Sequence, residues 1–134
     1  MIVLDASAAV DLLLQIQPNA SVVGERLNHA GESLHTPAIF DAEVLQVLRR
    51  YSLRRLLTAS RARQAFDDLT DLRIIRYPYV PLLGRMWDLR NNLSAFDAAY
   101  ITLAEALDAP LVTTDTRLAR APLHRAQVES YSLT

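Results

Sequence analysis

The stretch that decides the fold runs from Ser94 to Ala119. It reads Ser94-Ala95-Phe96-Asp97-Ala98-Ala99-Tyr100, continues through the apolar-rich run Ile101–Leu107, and then gives Pro110-Leu111-Val112-Thr113-Thr114-Asp115-Thr116-Arg117-Leu118-Ala119. Ser94 stands as an N-cap and Asp97 completes a Ser-x-x-Asp capping box, so the spacing predicts a helix over 95–107. The short apolar run 110–113 predicts a strand, and 116–120 a final turn of helix. A helix that leads into a parallel strand runs antiparallel to it. Its N-terminus, with Asp97, therefore lies at the carboxyl edge of the strands, where Asp115 also falls.

The rest of the chain repeats this grammar. Ile2-Val3-Leu4 predicts a strand that ends at Asp5, and residues 72–77 and 128–131 predict two more. Helical spacing predicts helices over 7–15, 20–29, 39–57, 60–69 and 82–90. Strands that alternate with helices and are apolar almost throughout give an α/β fold, with a central parallel sheet of four to five strands and helices on both faces. The 134 residues fit a single domain, 1–134, with one sizeable core. In such sheets ligands bind beyond the carboxyl ends of the strands.

Composition closes off several chemistries. There is no cysteine, which excludes disulfides, thiolate zinc sites, Fe–S clusters and cysteine nucleophiles. All 14 basic residues are arginine, so a Walker-type phosphate loop and Schiff-base chemistry are excluded as well. We read the all-arginine usage as codon bias. No apolar run approaches the roughly 20 residues of a membrane span, and the N-terminus lacks a secretion signal. The expectation is a cytoplasmic chain with no membrane partner. The net charge of −1 hides an asymmetry. Arg49, Arg50, Arg54, Arg55, Arg61, Arg63, Arg73 and Arg76 crowd the middle, either as a solvated face or as a surface for phosphate or a partner. Aromatic residues are not interleaved with them as on single-strand stacking platforms.

Four acids stand at predicted element ends. Asp5 and Asp115 end strands, Asp97 opens a helix, and Glu43 lies on the flank of the apolar arc of the 39–57 helix. At about 100° per residue, Asp41 points about 200° away from Glu43, toward solvent. Singly, each acid has a plain structural role as a helix cap or rim charge, with a cap worth about 1 kcal/mol. Together they conflict, because two carboxylates at 4 Å repel by about 4 kcal/mol at an effective dielectric of about 20. Such a cluster needs protons or a cation. An all-oxygen ligand set suits Mg²⁺ or Mn²⁺. The three histidines, His29, His35 and His124, are scattered and read as surface or structural residues. An acidic metal site beside arginines points to phosphodiester chemistry.

These same residues carry a family resemblance. Ile2-Val3-Leu4-Asp5-Ala6-Ser7-Ala8 resembles the opening of PIN domains. The segments Leu93–Tyr100, Leu103-Ala104-Glu105 and Pro110–Ala119 resemble the C-terminal half of VapC toxins, and Thr36-Pro37 followed by Glu43-Val44 resembles their second acidic motif. The resemblance spans essentially the whole chain. It implies a PIN-like fold and a Mg²⁺- or Mn²⁺-dependent endoribonuclease, the toxin of a toxin–antitoxin pair. It implies that Asp5, Glu43, Asp97 and Asp115 form the catalytic, metal-holding quartet, with Ser7 and Thr113 as supporting hydroxyls. It also implies RNA as substrate, a VapB-like antitoxin as partner, and a homodimer. Arg117, just past Asp115, is our own candidate for phosphate. Phe96 stands where Tyr is common in the family and is expected to pack rather than react. Asp11 and Asp41 are left outside the site.

Two other readings stay open: a PIN-like binding module without catalysis, and a DNA nuclease on the same fold. A receiver or aspartyl-phosphate phosphatase also places acids at strand ends. It uses a lysine near the phosphoryl group, which this chain lacks.

Overall fold

The structure is a computed structural model and describes residues 1–28 and 31–132. Its centre is a parallel sheet of β1 (Ile2–Leu4), β2 (Leu34–Pro37), β3 (Ile75–Tyr77), β4 (Leu111–Thr113) and β5 (Val128–Ser130), in the order β3-β2-β1-β4-β5. The helices are α1 (Ala6–Leu13), α2 (Asn19–Leu27), α3 (Phe40–Leu53), α4 (Ala59–Asp71), a 3₁₀ turn at Val80–Leu82, α5 (Leu83–Asp88), α6 (Ala95–Leu107) and α7 (Thr116–Arg120). β1 is the middle strand and is buried throughout. The chain adds strands on one side of β1, then crosses to the other side for β4. The seam between β1 and β4 is therefore the switch point, where open α/β sheets form their sites.

α6 is the helix against which the sheet is assembled. Every residue from Ala98 to Ala104 is buried, as expected of a helix covered on all sides. It begins where the sequence places it. Ser94 Oγ accepts the Asp97 N–H at 3.1 Å, satisfying one of the helix's first free donors. Its far end is tied down by Glu105, which accepts from Arg85 Nε at 2.9 Å and from the Arg125 N–H at 2.7 Å. Glu105 is thus an anchor for the chain after α7, distant from the carboxyl edge.

Three expectations are corrected. β2 carries no apolar run that predicts a strand, because its inner residues, His35 and Thr36, are polar. Both are buried with their hydrogen bonds satisfied. His35 lies between Ser33 Oγ (2.7 Å) and Tyr77 Oη (2.6 Å), and Thr36 Oγ1 donates to the Leu4 carbonyl at 3.0 Å. The 39–57 helix stops at Leu53, and the next begins at Ala59 instead of residue 60, because Thr58 is its N-cap and accepts the Arg61 N–H at 3.1 Å. The third strand is short, starting at Ile75 instead of residue 72. His35 and His124 are structural, with His124 Nδ1 accepting the Ala126 N–H at 3.1 Å. His29 lies outside the described residues. Among the described residues no helix is long and apolar enough to cross a membrane.

Candidate active site

A cavity of about 520 Å³ opens at the carboxyl edge of the sheet and is lined by Asp5, Glu43, Asp97 and Asp115. The four acids come from four places in the chain. Asp5 follows β1, Asp115 follows β4, Glu43 lies in the first turn of α3, and Asp97 in the first turn of α6. Parallel strands and antiparallel return helices bring these ends together.

Asp5 is the deepest, only 6% exposed. Ser7 Oγ donates to its Oδ2 at 2.6 Å and Thr113 Oγ1 donates to the same oxygen at 2.7 Å. Each hydroxyl has one proton. The 3.1 Å approach of the two hydroxyl oxygens is therefore a contact, with both protons already committed to Asp5. Each hydroxyl also accepts a backbone N–H: Ser7 from Thr114 at 3.2 Å, Thr113 from Asp115 at 2.9 Å. The ends of β1 and β4 are thus locked around one carboxylate oxygen. Burial still pushes Asp5 above the usual carboxylate range, against these hydrogen bonds, and the charge of Asp97 adds to the rise.

Glu43 and Asp97 are half-buried and are also pushed up, first by burial. Asp5 and Asp97 repel the charged form of Glu43, and Asp115 repels that of Asp97. The Tyr100 hydroxyl, beside Glu43, partly offsets the rise of Glu43. Yet Glu43 Oε1 and Tyr100 Oη are both buried without closing a hydrogen bond of ordinary geometry. A buried acceptor left open is costly.

Asp115 differs. Arg117 forks onto it, with Nη2 at 2.6 Å from Oδ2 and Nε at 3.0 Å from Oδ1, and this holds Asp115 below the usual range. Asp115 Oδ1 also accepts the Arg117 N–H at 3.0 Å, so its capping role is real. Asp5, in contrast, makes no capping bond to α1.

The donor set fits a hard divalent cation. It consists of carboxylates and hydroxyls, three of the acids repel one another, and one acceptor is open. As placed, no three acids or histidines among the described residues stand close enough to enclose an ion. Asp115 is instead turned into its pair with Arg117.

Two features depart from what the sequence implies. Phe96 does not pack: it is 58% exposed and lies at the cavity rim. Arg50, one of the crowded arginines, lines the same cavity. Asp41 is outside the site as expected, forked by Arg76 at 2.6 and 2.8 Å.

Known proteins supply independent comparisons. Residues 2–123 match the PIN domain family. The chain is 40% identical over 129 residues to ribonuclease VapC12 of Mycobacterium tuberculosis, covering 96% of this chain and 98% of that protein. It is 44% identical over 118 residues to ribonuclease VapC9 of the same organism, covering 88% of each. Among solved structures, VapBC2 of Rickettsia felis bound to a promoter DNA fragment superposes with a TM-score of 0.71 at 16% identity, covering 98% of this chain and 99% of that one. That likeness bears on the fold alone. With the sheet order, the acids at its carboxyl edge and these matches in hand, the chain belongs to the PIN domain family, in its VapC branch.

Proposed function

We propose that this protein is an endoribonuclease toxin that hydrolyses RNA phosphodiester bonds at the acidic cavity, with Mg²⁺ or Mn²⁺ held by Asp5, Glu43, Asp97 and Asp115. The observation that carries this reading is the convergence of four carboxylates from separate elements on one cavity, with Glu43 Oε1 buried and open. A cation bound there supplies Lewis-acid polarisation of the phosphoryl oxygen and lowers the pKa of a bound water.

The protein's own groups have distinct tasks. Ser7 and Thr113 fix Asp5 through Oδ2, so its position costs no reorganisation when substrate arrives. Glu43, raised by burial and by its acidic neighbours, holds a proton more readily than an exposed glutamate and gives it up as positive charge enters the cavity. Arg50 lies on the cavity wall, where an arginine suits the phosphate backbone. Arg117, 79% exposed, is paired with Asp115 and can move toward phosphate once that carboxylate has another cation. Phe96 offers an aromatic face at the rim for an unstacked base.

In hydrolysis a water oxygen bonds to phosphorus, the P–O bond to one ribose breaks, and that ribose oxygen takes a proton. The partners in this reading are an RNA substrate, a VapB-like antitoxin that covers the acids, and a second copy of the chain. The whole chain acts as one cytoplasmic domain. End-group analysis tests the chemistry. Water attack leaves linear phosphate ends, whereas attack by the 2′-hydroxyl leaves a cyclic phosphate and contradicts the reading. An all-DNA version of a cleaved RNA should survive. Equal cutting of both would favour a DNA nuclease.

A further inference from the structure

A second cavity, of about 380 Å³, opens beside the acidic one between α1 and α3. The two share Ser7, Val47 and Arg50, so they are adjoining compartments of one groove. The second compartment is built from two helix faces. On α1, Asp11 follows Ser7 by one turn. On α3, Val47, Arg50 and Tyr51 follow Glu43 along neighbouring rows, and Arg54 stands at the helix's C-cap. At 1.5 Å per residue, Arg50 stands about 10 Å along the axis from Glu43.

Three observations say what this compartment takes. Arg50 and Arg54 are exposed and have no ion pair or side-chain hydrogen bond among the described residues, unlike Arg61, Arg63 and Arg76 nearby. Tyr51 supplies an aromatic wall beside the apolar Val47. Asp11 is half-buried and steadied by Asn19 Nδ2, which donates to its Oδ2 at 3.0 Å. Among the described residues its carboxylate forms no ion pair, so it remains an acceptor for a ligand.

Building on the ribonuclease reading, we propose that this compartment is a specificity subsite for the nucleotide next to the bond that is cut. The base lies against Tyr51 and Val47, the flanking phosphates meet Arg50 and Arg54, and Asp11 reads the base edge. An ionised carboxylate only accepts hydrogen bonds. It favours a base with an exocyclic amine, such as cytosine or guanine, over uracil, whose edge carries carbonyls in those places. Arginine contacts to phosphate add affinity with no sequence preference.

The test uses a pool of single-stranded RNA 12-mers of random sequence. The pool is cut by the wild type, Asp11→Asn and Arg54→Ala with Mn²⁺ present, and its retention on filters by the same proteins is measured in EDTA. Asp11→Asn keeps an acceptor for Asn19 and so preserves the local fold. The expected result is a bias for an amine-bearing base at one position beside the cut. Asp11→Asn should weaken that bias about tenfold, and Arg54→Ala should raise KM about fivefold on all sequences alike. If both variants cut with wild-type bias and KM, the subsite is wrong while the nuclease stands; a compartment that serves a protein partner would give that result. If no protein cuts, the nuclease reading fails and retention decides the subsite. Equal retention by all three overturns it, and weaker, less selective retention by the variants upholds it.

Discussion

Thr113 Oγ1 donates to Asp5 Oδ2 at 2.7 Å across 108 residues of sequence, at the seam between β1 and β4. The bond joins the switch point of the sheet to the deepest acid of the cavity. Thr113→Val removes one of the two hydroxyl donors to this buried carboxylate and leaves Ser7 as the other. Hydrogen bonds to charged groups contribute about 1.5–3 kcal/mol, and urea melts at neutral pH should show a loss in that range. Thr113→Ser keeps the hydroxyl and should lose only about 1 kcal/mol for the missing methyl. A Thr113→Val loss no larger than that of Thr113→Ser would mean that the hydrogen bond to Asp5 contributes little to stability.

The raised acids set a pH dependence. Burial first, then neighbouring charge, lifts Asp5, Glu43 and Asp97 above their ordinary values of 3.8, 4.5 and 3.8. Between the ordinary and the raised value, the folded protein holds more protons than the unfolded chain. Each of these groups therefore takes stability away as pH rises through that window. Glu43→Gln should melt progressively higher than the wild type as pH rises above about 4.5 in EDTA, and the gap should shrink at acid pH. A gap independent of pH would contradict the assignment.

Asp97 separates a cap from a catalytic acid. Its backbone N–H bonds Ser94 Oγ, and Ser94 also favours its charged carboxylate, though less than burial disfavours it. Asp97→Asn keeps that bond and removes a charge that burial and Asp115 disfavour. The metal-free variant should be at least as stable as the wild type by thermal melting. A role confined to capping predicts a loss of about 1 kcal/mol instead.

Arg117 competes for Asp115. The pair is largely in water, with Arg117 79% exposed, so breaking it should change stability by less than about 1 kcal/mol. Arg117→Ala frees the Asp115 carboxylate and removes a positive charge from the cavity edge. Calorimetry with Mn²⁺ should show tighter binding, by several-fold. Weaker binding would mean that Arg117 holds Asp115 in place for the ion.

The four acids could be picked out in the sequence because each stands at an element boundary: Asp5 and Asp115 just past β1 and β4, Glu43 and Asp97 in the first turns of α3 and α6. The parallel sheet could be read from the same boundaries. β2 could not, since hydropathy carries no sign that His35 and Thr36 have partners, supplied by Ser33, Tyr77 and Leu4 from other strands and loops. The pairing of Arg117 with Asp115 depends on rotamers in a five-residue helix. Nor does spacing reveal that Phe96 faces outward, because an apolar residue in a first turn ordinarily packs inward. The arginine-rich middle is divided only by the fold: Arg61, Arg63 and Arg76 are engaged with the protein, while Arg50 and Arg54 line open cavities.

The most direct test of the central claim is cleavage of a mixed RNA pool by the purified chain with Mg²⁺ or Mn²⁺, with EDTA, and with Asp97→Asn in place of the wild type. The account predicts cutting by the wild type with metal, none in EDTA, and none by a folded Asp97→Asn. Cutting that persists in EDTA, or in Asp97→Asn at the wild-type rate, would contradict it.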